Sequence, residues 1–100
     1  MATSPELAAV IAKVGDGSGL DRREELQYAY FIRSLLYDVQ EAYLLHREGR
    51  LHAEYWDTRS SIFVTYMQSG AALDVYRRDK ALGVLHDAFV GWADQVIAGP

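Results

Sequence analysis

From about Asp21 to about Arg47 the chain is apolar on two opposite sides of one helix. Tyr28, Ala29, Ile32, Leu35, Leu36, Val39, Ala42 and Tyr43 recur at the i, i+3, i+4, i+7 spacing of a buried helical face. At about 100° per residue, Leu26, Tyr30, Tyr37 and Leu44 fall across from that stripe. A helix on the outside of a small monomer needs one apolar side. The second stripe predicts a further covering surface, from this chain or from another molecule. Asp21 starts the helix, with Glu24 and Glu25 in its first turn where the helix dipole favours acids. His46, Arg47 and then Gly49 end it.

The flanking segments read the same way. Thr3-Ser4-Pro5-Glu6 is a helix start, with Ser4 as cap and Glu6 three residues after Thr3, followed by a short stripe of Leu7, Val10, Ile11 and Val14. Gly15 is the expected stop, and residues 15–20 are expected to form a flexible turn. Asp16-Gly17-Ser18-Gly19 resembles a phosphate cradle only in being glycine-rich. It has no preceding strand and no following lysine, and Asp16 would repel the anion, so it is read as a linker. A third helix, about His52 to Gln68, follows a link short enough to make it the antiparallel neighbour of the long one. It places Tyr55, Trp56, Ile62, Phe63, Tyr66 and Met67 on one side, and Ser69-Gly70 stops it. The remainder, Ala71 to Ala98, is helical, with Leu82, Leu85, Phe89, Trp92 and Val96 in rhythm. Gly83 either bends this segment or divides it near Asp79 or Lys80. Gly91 either admits a close helix or costs stability. No strand-like alternation and no repeat occurs. The predicted fold is all-α: a single compact bundle of four or five helices over residues 1–100, with the long helix at its centre.

Composition narrows the partners. The net charge is −4 and basic residues are not clustered, so a nucleic-acid surface is not expected. No apolar stretch approaches the roughly 20 residues of a membrane span, and Met1 to Val14 lacks the charged start of a signal peptide. The chain has no cysteine, which removes disulfides and thiolate metal sites and suits a reducing compartment, though a periplasmic one is also compatible. A bacterial-type cytoplasmic domain is the resulting expectation.

Candidate chemistry is sparse. Arg59 lies within the aromatic side of the third helix, with Tyr55, Trp56 and Phe63, and faces Asp38 and Glu41 on the antiparallel helix. The favoured reading is an ion pair or a guanidinium laid over a ring. The sharper one is an aromatic pocket between helices, in which Arg59 holds a carboxylate or phosphate of a small ligand. His46, His52 and His86 have neither the i, i+3 nor the i, i+4 spacing of a helical metal site, and no HExxH run exists, so no metal or cofactor is expected. Ser60-Ser61 lack a nucleophile elbow, and Ser69, His86 and Asp87 make a triad only on paper. No catalytic residue is assigned. The seven tyrosines either fill a wide bundle or mark interfaces.

Three stretches resemble a pattern in uncharacterised all-helical bacterial proteins. They are Phe31, Glu41 and Tyr43; Arg47-Glu48-Gly49-Arg50-Leu51 with Trp56; and Gly70 to Tyr76 with Phe89 and Asp94. Relatives of that kind are often membrane-tethered, a property not carried over because this chain shows no spanning segment. The resemblance implies a helical fold and no activity. The leading functional expectation is a non-enzymatic interaction module, a homodimer or the binder of a protein partner. Its interface is Leu26, Tyr30, Tyr37 and Leu44, with Arg33 and Glu41 at the edge.

Overall fold

A computed structural model describes residues 4–99, which form five helices: α1 (Pro5–Gly15), α2 (Arg22–Arg47), α3 (Ala53–Tyr66), α4 (Gly70–Leu82) and α5 (Asp87–Ala98). The all-α bundle and its long central helix are as the periodicity predicts. Ser4 accepts a hydrogen bond from the Leu7 N–H with Pro5 leading α1; Thr3 lies outside the described residues. Asp21 and Glu24 form a full capping box at the start of α2, each side chain satisfying the other's backbone N–H.

One helix end falls differently from expectation, and one alternative left open is decided. Gly15 is the last residue of α1 rather than its stop. The left-handed turn comes two residues later at Gly17, with φ of 74°, where the Ser18 N–H reaches back to the Lys13 carbonyl. Gly83, with φ of 73°, divides the C-terminal segment rather than bending it, because its left-handed backbone lets the Val84 N–H close on Asp79. Leu82 is therefore outside the rhythm it shares with Leu85 in the sequence and stands 65% exposed. His86 then caps α5, its Nδ1 accepting from the Ala88 N–H. Gly91 faces open space, so it admits no close helix.

Every helix pair in extensive contact includes α2. Its main stripe, from Tyr28 through Ile32, Leu36 and Val39 to Ala42, is buried by the four other helices. Each large aliphatic side chain so buried contributes about 1.5–3 kcal/mol. Phe63 of α3, Ala72, Val75 and Tyr76 of α4, and Phe89 and Ala93 of α5 complete the core. Around the C-terminal end of α2 the filling is aromatic. Trp92 lies 5.0 Å from Trp56, 5.3 Å from Phe63 and 5.5 Å from Tyr43, and His46 stacks on Trp56 at 4.9 Å.

Polar pins fix how the helices sit on α2. Lys13 to Glu24 at 2.6 Å, and Arg23 and Gln27 to Glu6, hold α1. The stronger pin joins α2 to α4. Asp79 occupies a core position of α4, four residues after Val75, and is fully buried. Arg33 reaches over it and donates from Nε and Nη2 to its two oxygens at 3.1 and 3.0 Å. Seven residues further along α2, Gln40 Oε1 accepts the His86 N–H at 2.6 Å. On the far side of α4, the buried Tyr76 hydroxyl and Lys80 each donate to Asp94 at 2.7 Å, tying α4 to α5.

Removing Arg33 strands a buried carboxylate. Arg33→Ala should therefore cost about 3 kcal/mol, the low end of the usual range because the guanidinium is partly in water. Arg33→Leu combined with Asp79→Leu should recover most of that loss. Urea unfolding measures both, and an Arg33→Ala variant as stable as the parent would show that the pair holds nothing together.

The Lys80 hydrogen bond above all, aided by Tyr76 against partial burial, holds the Asp94 carboxyl below the usual carboxylate range. A depressed acid contributes stability that is complete above its unfolded pKa of about 3.9 and is lost as pH falls through the folded value. Lys80→Met should accordingly lose less stability than the parent between about pH 5 and the acid limit. Parallel acid-stability curves for the two proteins would mean that Asp94 is not held down by Lys80.

Candidate functional site

With the core stripe of α2 covered, its outer face remains. Leu26 is 45% exposed, Tyr30 65% and Tyr37 43%, while Leu44 is half-buried at the far end. These residues share one face because 26, 30, 37 and 44 fall within about 40° of one another around the helix. Arg33 lies on the same face, but its guanidinium is turned down onto Asp79, so its head is committed to the fold. Two further exposed hydrophobics lie nearby in the chain, Leu82 as the last residue of α4 and Val84 in the α4–α5 connection. That connection is held against α2 by the Arg33–Asp79 and Gln40–His86 contacts, which bracket Tyr37. Asp79 and Val84 escape a reading of the sequence alone, and Leu82, read there as part of the apolar rhythm, is exposed. A signal for Asp79 exists, since a carboxylate stands at i+7 in the apolar rhythm Ala72, Val75, Tyr76.

The tyrosines divide cleanly. Tyr28 and Tyr76 are buried, and Tyr43 and Tyr66 pack against the core. Tyr30, Tyr37 and Tyr55 are exposed. Burial and acceptance by Asp94 both push the Tyr76 hydroxyl well above the ordinary phenol range, so it stays a donor. Bundle filling thus accounts for four of the seven, and the other three lie on α2 and α3 facing solvent.

The second candidate, between α2 and α3, is only partly assembled. Arg59, Asp38, Glu41 and Tyr55 do meet along one groove. Arg59 Nη1 stands 3.6 Å from Asp38 Oδ2 with both side chains half exposed, a loose surface ion pair. Trp56 and Phe63 do not join them. Trp56 stacks with His46 and Trp92, and Phe63 is fully buried against Tyr76, Phe89 and Trp92. Tyr55, expected on the buried side of α3, is exposed, because the helix turns Phe63 and not Tyr55 toward the core. Leu45 and Leu51 line the same groove and carried no signal in the sequence beyond being apolar. The histidines serve the fold: His46 stacks, His52 precedes α3 and His86 caps α5. Among the described residues no three His, Asp or Glu side chains gather as metal ligands, and no helix is long and apolar enough to cross a membrane.

No protein-family model, no curated protein and no solved structure matches this chain.

A half-exposed ion pair contributes about 0–1 kcal/mol. Arg59→Ala should leave the fold intact with a loss below about 1 kcal/mol by urea unfolding. A larger loss would mean that the arginine carries packing which the Asp38 contact does not account for.

Proposed function

We propose that this protein is a non-enzymatic interaction module that self-associates through the outer face of α2. One observation carries the reading: a central helix whose core side is fully buried still presents Leu26, Tyr30 and Tyr37 to solvent. Tyrosines whose rings are dry on one side and wet at the tip are favoured at interfaces. Leu82 and Val84 widen the apolar area on the α4 side.

The order of residues favours a second copy as the occupant. About a midpoint near residue 35, the stripe reads nearly the same in both directions: Leu26 answers Leu44, and Arg33 answers Tyr37. Two such helices crossing antiparallel about a two-fold axis would bring leucine to leucine, and guanidinium to ring, twice over. The next match, Tyr30 to Glu41, falls one residue off that register and offers a phenol to a carboxylate at the edge. Opposed helix dipoles favour the same orientation. A small-molecule pocket is less supported, since Arg59 is already beside Asp38, and two of the aromatic residues expected to line it are in the core. The absence of cysteine suits work in a reducing cytoplasm.

Sedimentation velocity at micromolar concentration should give a dimer, and Tyr37→Asp should weaken it by at least about tenfold while remaining folded. The chain offers a cysteine-free background for orientation. Under mild oxidation, a mixture of Leu26→Cys and Leu44→Cys single variants should give the mixed cross-linked species in preference to either homodimer. A monomeric parent at high concentration would defeat self-association, and preferential homodimer cross-links would defeat the antiparallel arrangement.

A further inference from the structure

Between its core side and its outer stripe, α2 has a third side that only α1 and α3 partly cover. Three open cavities lie along it and a fourth lies beside them on α3, and shared residues join them into one groove. Phe31 and Ser34 belong both to a cavity of about 330 Å³ walled by α1 and to one of about 670 Å³ that extends to Arg59. Asp38, Glu41 and Arg59 then continue into a third, of about 240 Å³, beside Leu45, Leu51 and Tyr55. Arg59 and Tyr55 also border the fourth, at Glu54 and Thr58. From Gln27 to Leu45 the groove follows α2 for about 27 Å, at 1.5 Å per residue.

Its floor and its rim differ in chemistry. The floor is apolar, from Phe31, Leu35, Leu45 and Leu51. The rim sets three carboxylates, Asp38, Glu41 and Glu54, against the single cation Arg59. Asp38 stands beside that cation, whereas Glu41 and Glu54 make no ion pair among the described residues. Glu41 thus borders the apolar trough, and Glu54 the adjoining cavity on α3, each without an ion pair among the described residues.

We propose that this groove receives a basic amphipathic helix of a second protein. The length fits about 18 helical residues. Apolar side chains at i, i+3, i+4 and i+7 of such a helix would meet the floor, and flanking Lys or Arg would meet Glu41 and Glu54. The walls are helices with no free strand edge, so main-chain pairing with an extended peptide has nothing to build on. The sign of the rim opposes an anionic ligand or an anionic membrane. A second copy of this chain, at net −4, brings the wrong charge and already has a place on the outer stripe in the reading above. The two surfaces adjoin along α2, where Tyr30 and Tyr37 of the stripe also border the groove and Glu41 stands at its edge.

The test is fluorescence anisotropy of a labelled synthetic helix, with leucine at i, i+3, i+4 and i+7 and lysine on the flanks, titrated with the full chain. Saturable binding that weakens as salt is raised is expected. Glu41→Lys combined with Glu54→Lys should weaken it by at least about tenfold. Asp16→Lys combined with Asp74→Lys makes the same change in net charge, two units per substitution, on other surfaces, and should leave the affinity within about twofold. Circular dichroism confirms that both double variants are folded, their altered side chains being exposed in the parent. Equal weakening by the two would mean that the peptide senses only overall charge, and would overturn the proposal. No binding at all would overturn it too, as would tighter binding of the same helix with glutamate in place of lysine, which would instead mark Arg59 as an anion site. Binding of anionic lipid vesicles but not of the peptide would likewise count against it. Sedimentation reads self-association independently, so a monomer that still binds the peptide defeats the dimer and leaves the groove.

Discussion

The structure depends on one constraint: a single uninterrupted helix must be shielded from water along its length by four shorter ones. α2 supplies that rod because its sequence carries no breaker between Asp21 and Gly49, and because a full capping box sets its start. Ile32, Leu36 and Val39 disappear completely into the core. None of the other helices has a comparable stripe, and their extensive contacts are all with α2. Their positions follow from what each buries against it, with Phe63, Tyr76 and Phe89 meeting behind the rod.

Apolar burial is not directional, so it leaves each short helix free to rotate or slide. Polar contacts remove that freedom. The bidentate Arg33–Asp79 pair fixes α4 in rotation and height, because a planar guanidinium meets a carboxylate in few geometries. The Gln40–His86 bond fixes the following connection, and Asp94 joins α5 to α4 through Tyr76 and Lys80. Together these hold the end of α4 and the connection after it close to α2, with Leu82 and Val84 left exposed. The same pins that order the core thereby compose the surface to which we assign self-association.

Three sides of one helix therefore have three environments. One is core, one borders an acidic apolar groove, and one is an exposed aromatic stripe at whose edge Arg33 is clamped onto Asp79 of α4. A helix used on all sides is expensive for a domain of 100 residues, since its exposed rings stabilise nothing within the monomer. α2 and α3 carry exposed and core-packed tyrosines alike, on different faces, so the same residue type both fills the bundle and faces solvent.

Periodicity and end signals were enough to read an all-α bundle of four or five helices, the centrality of α2 and its second apolar stripe, because these depend on neighbours within a turn or two. The Gly17 and Gly83 turns needed the backbone itself, since a glycine in sequence does not reveal which glycine turns left-handed. The sites were less legible. Arg33 read as an interface edge, yet it is bound to Asp79 46 residues away. Trp56 and Phe63 read as pocket walls and are core, whereas Leu45 and Leu51 became groove. Which face a short helix turns inward, and which polar groups then meet, depends on rotations of a few tens of degrees about axes that the chain sets only on packing. The sequence by itself determined where the helices are, within a turn at their ends, and that the longest is apolar on two sides. The tertiary structure alone decided which charges pair and which rings stay wet, because those outcomes depend on distances between segments with no local signal in common.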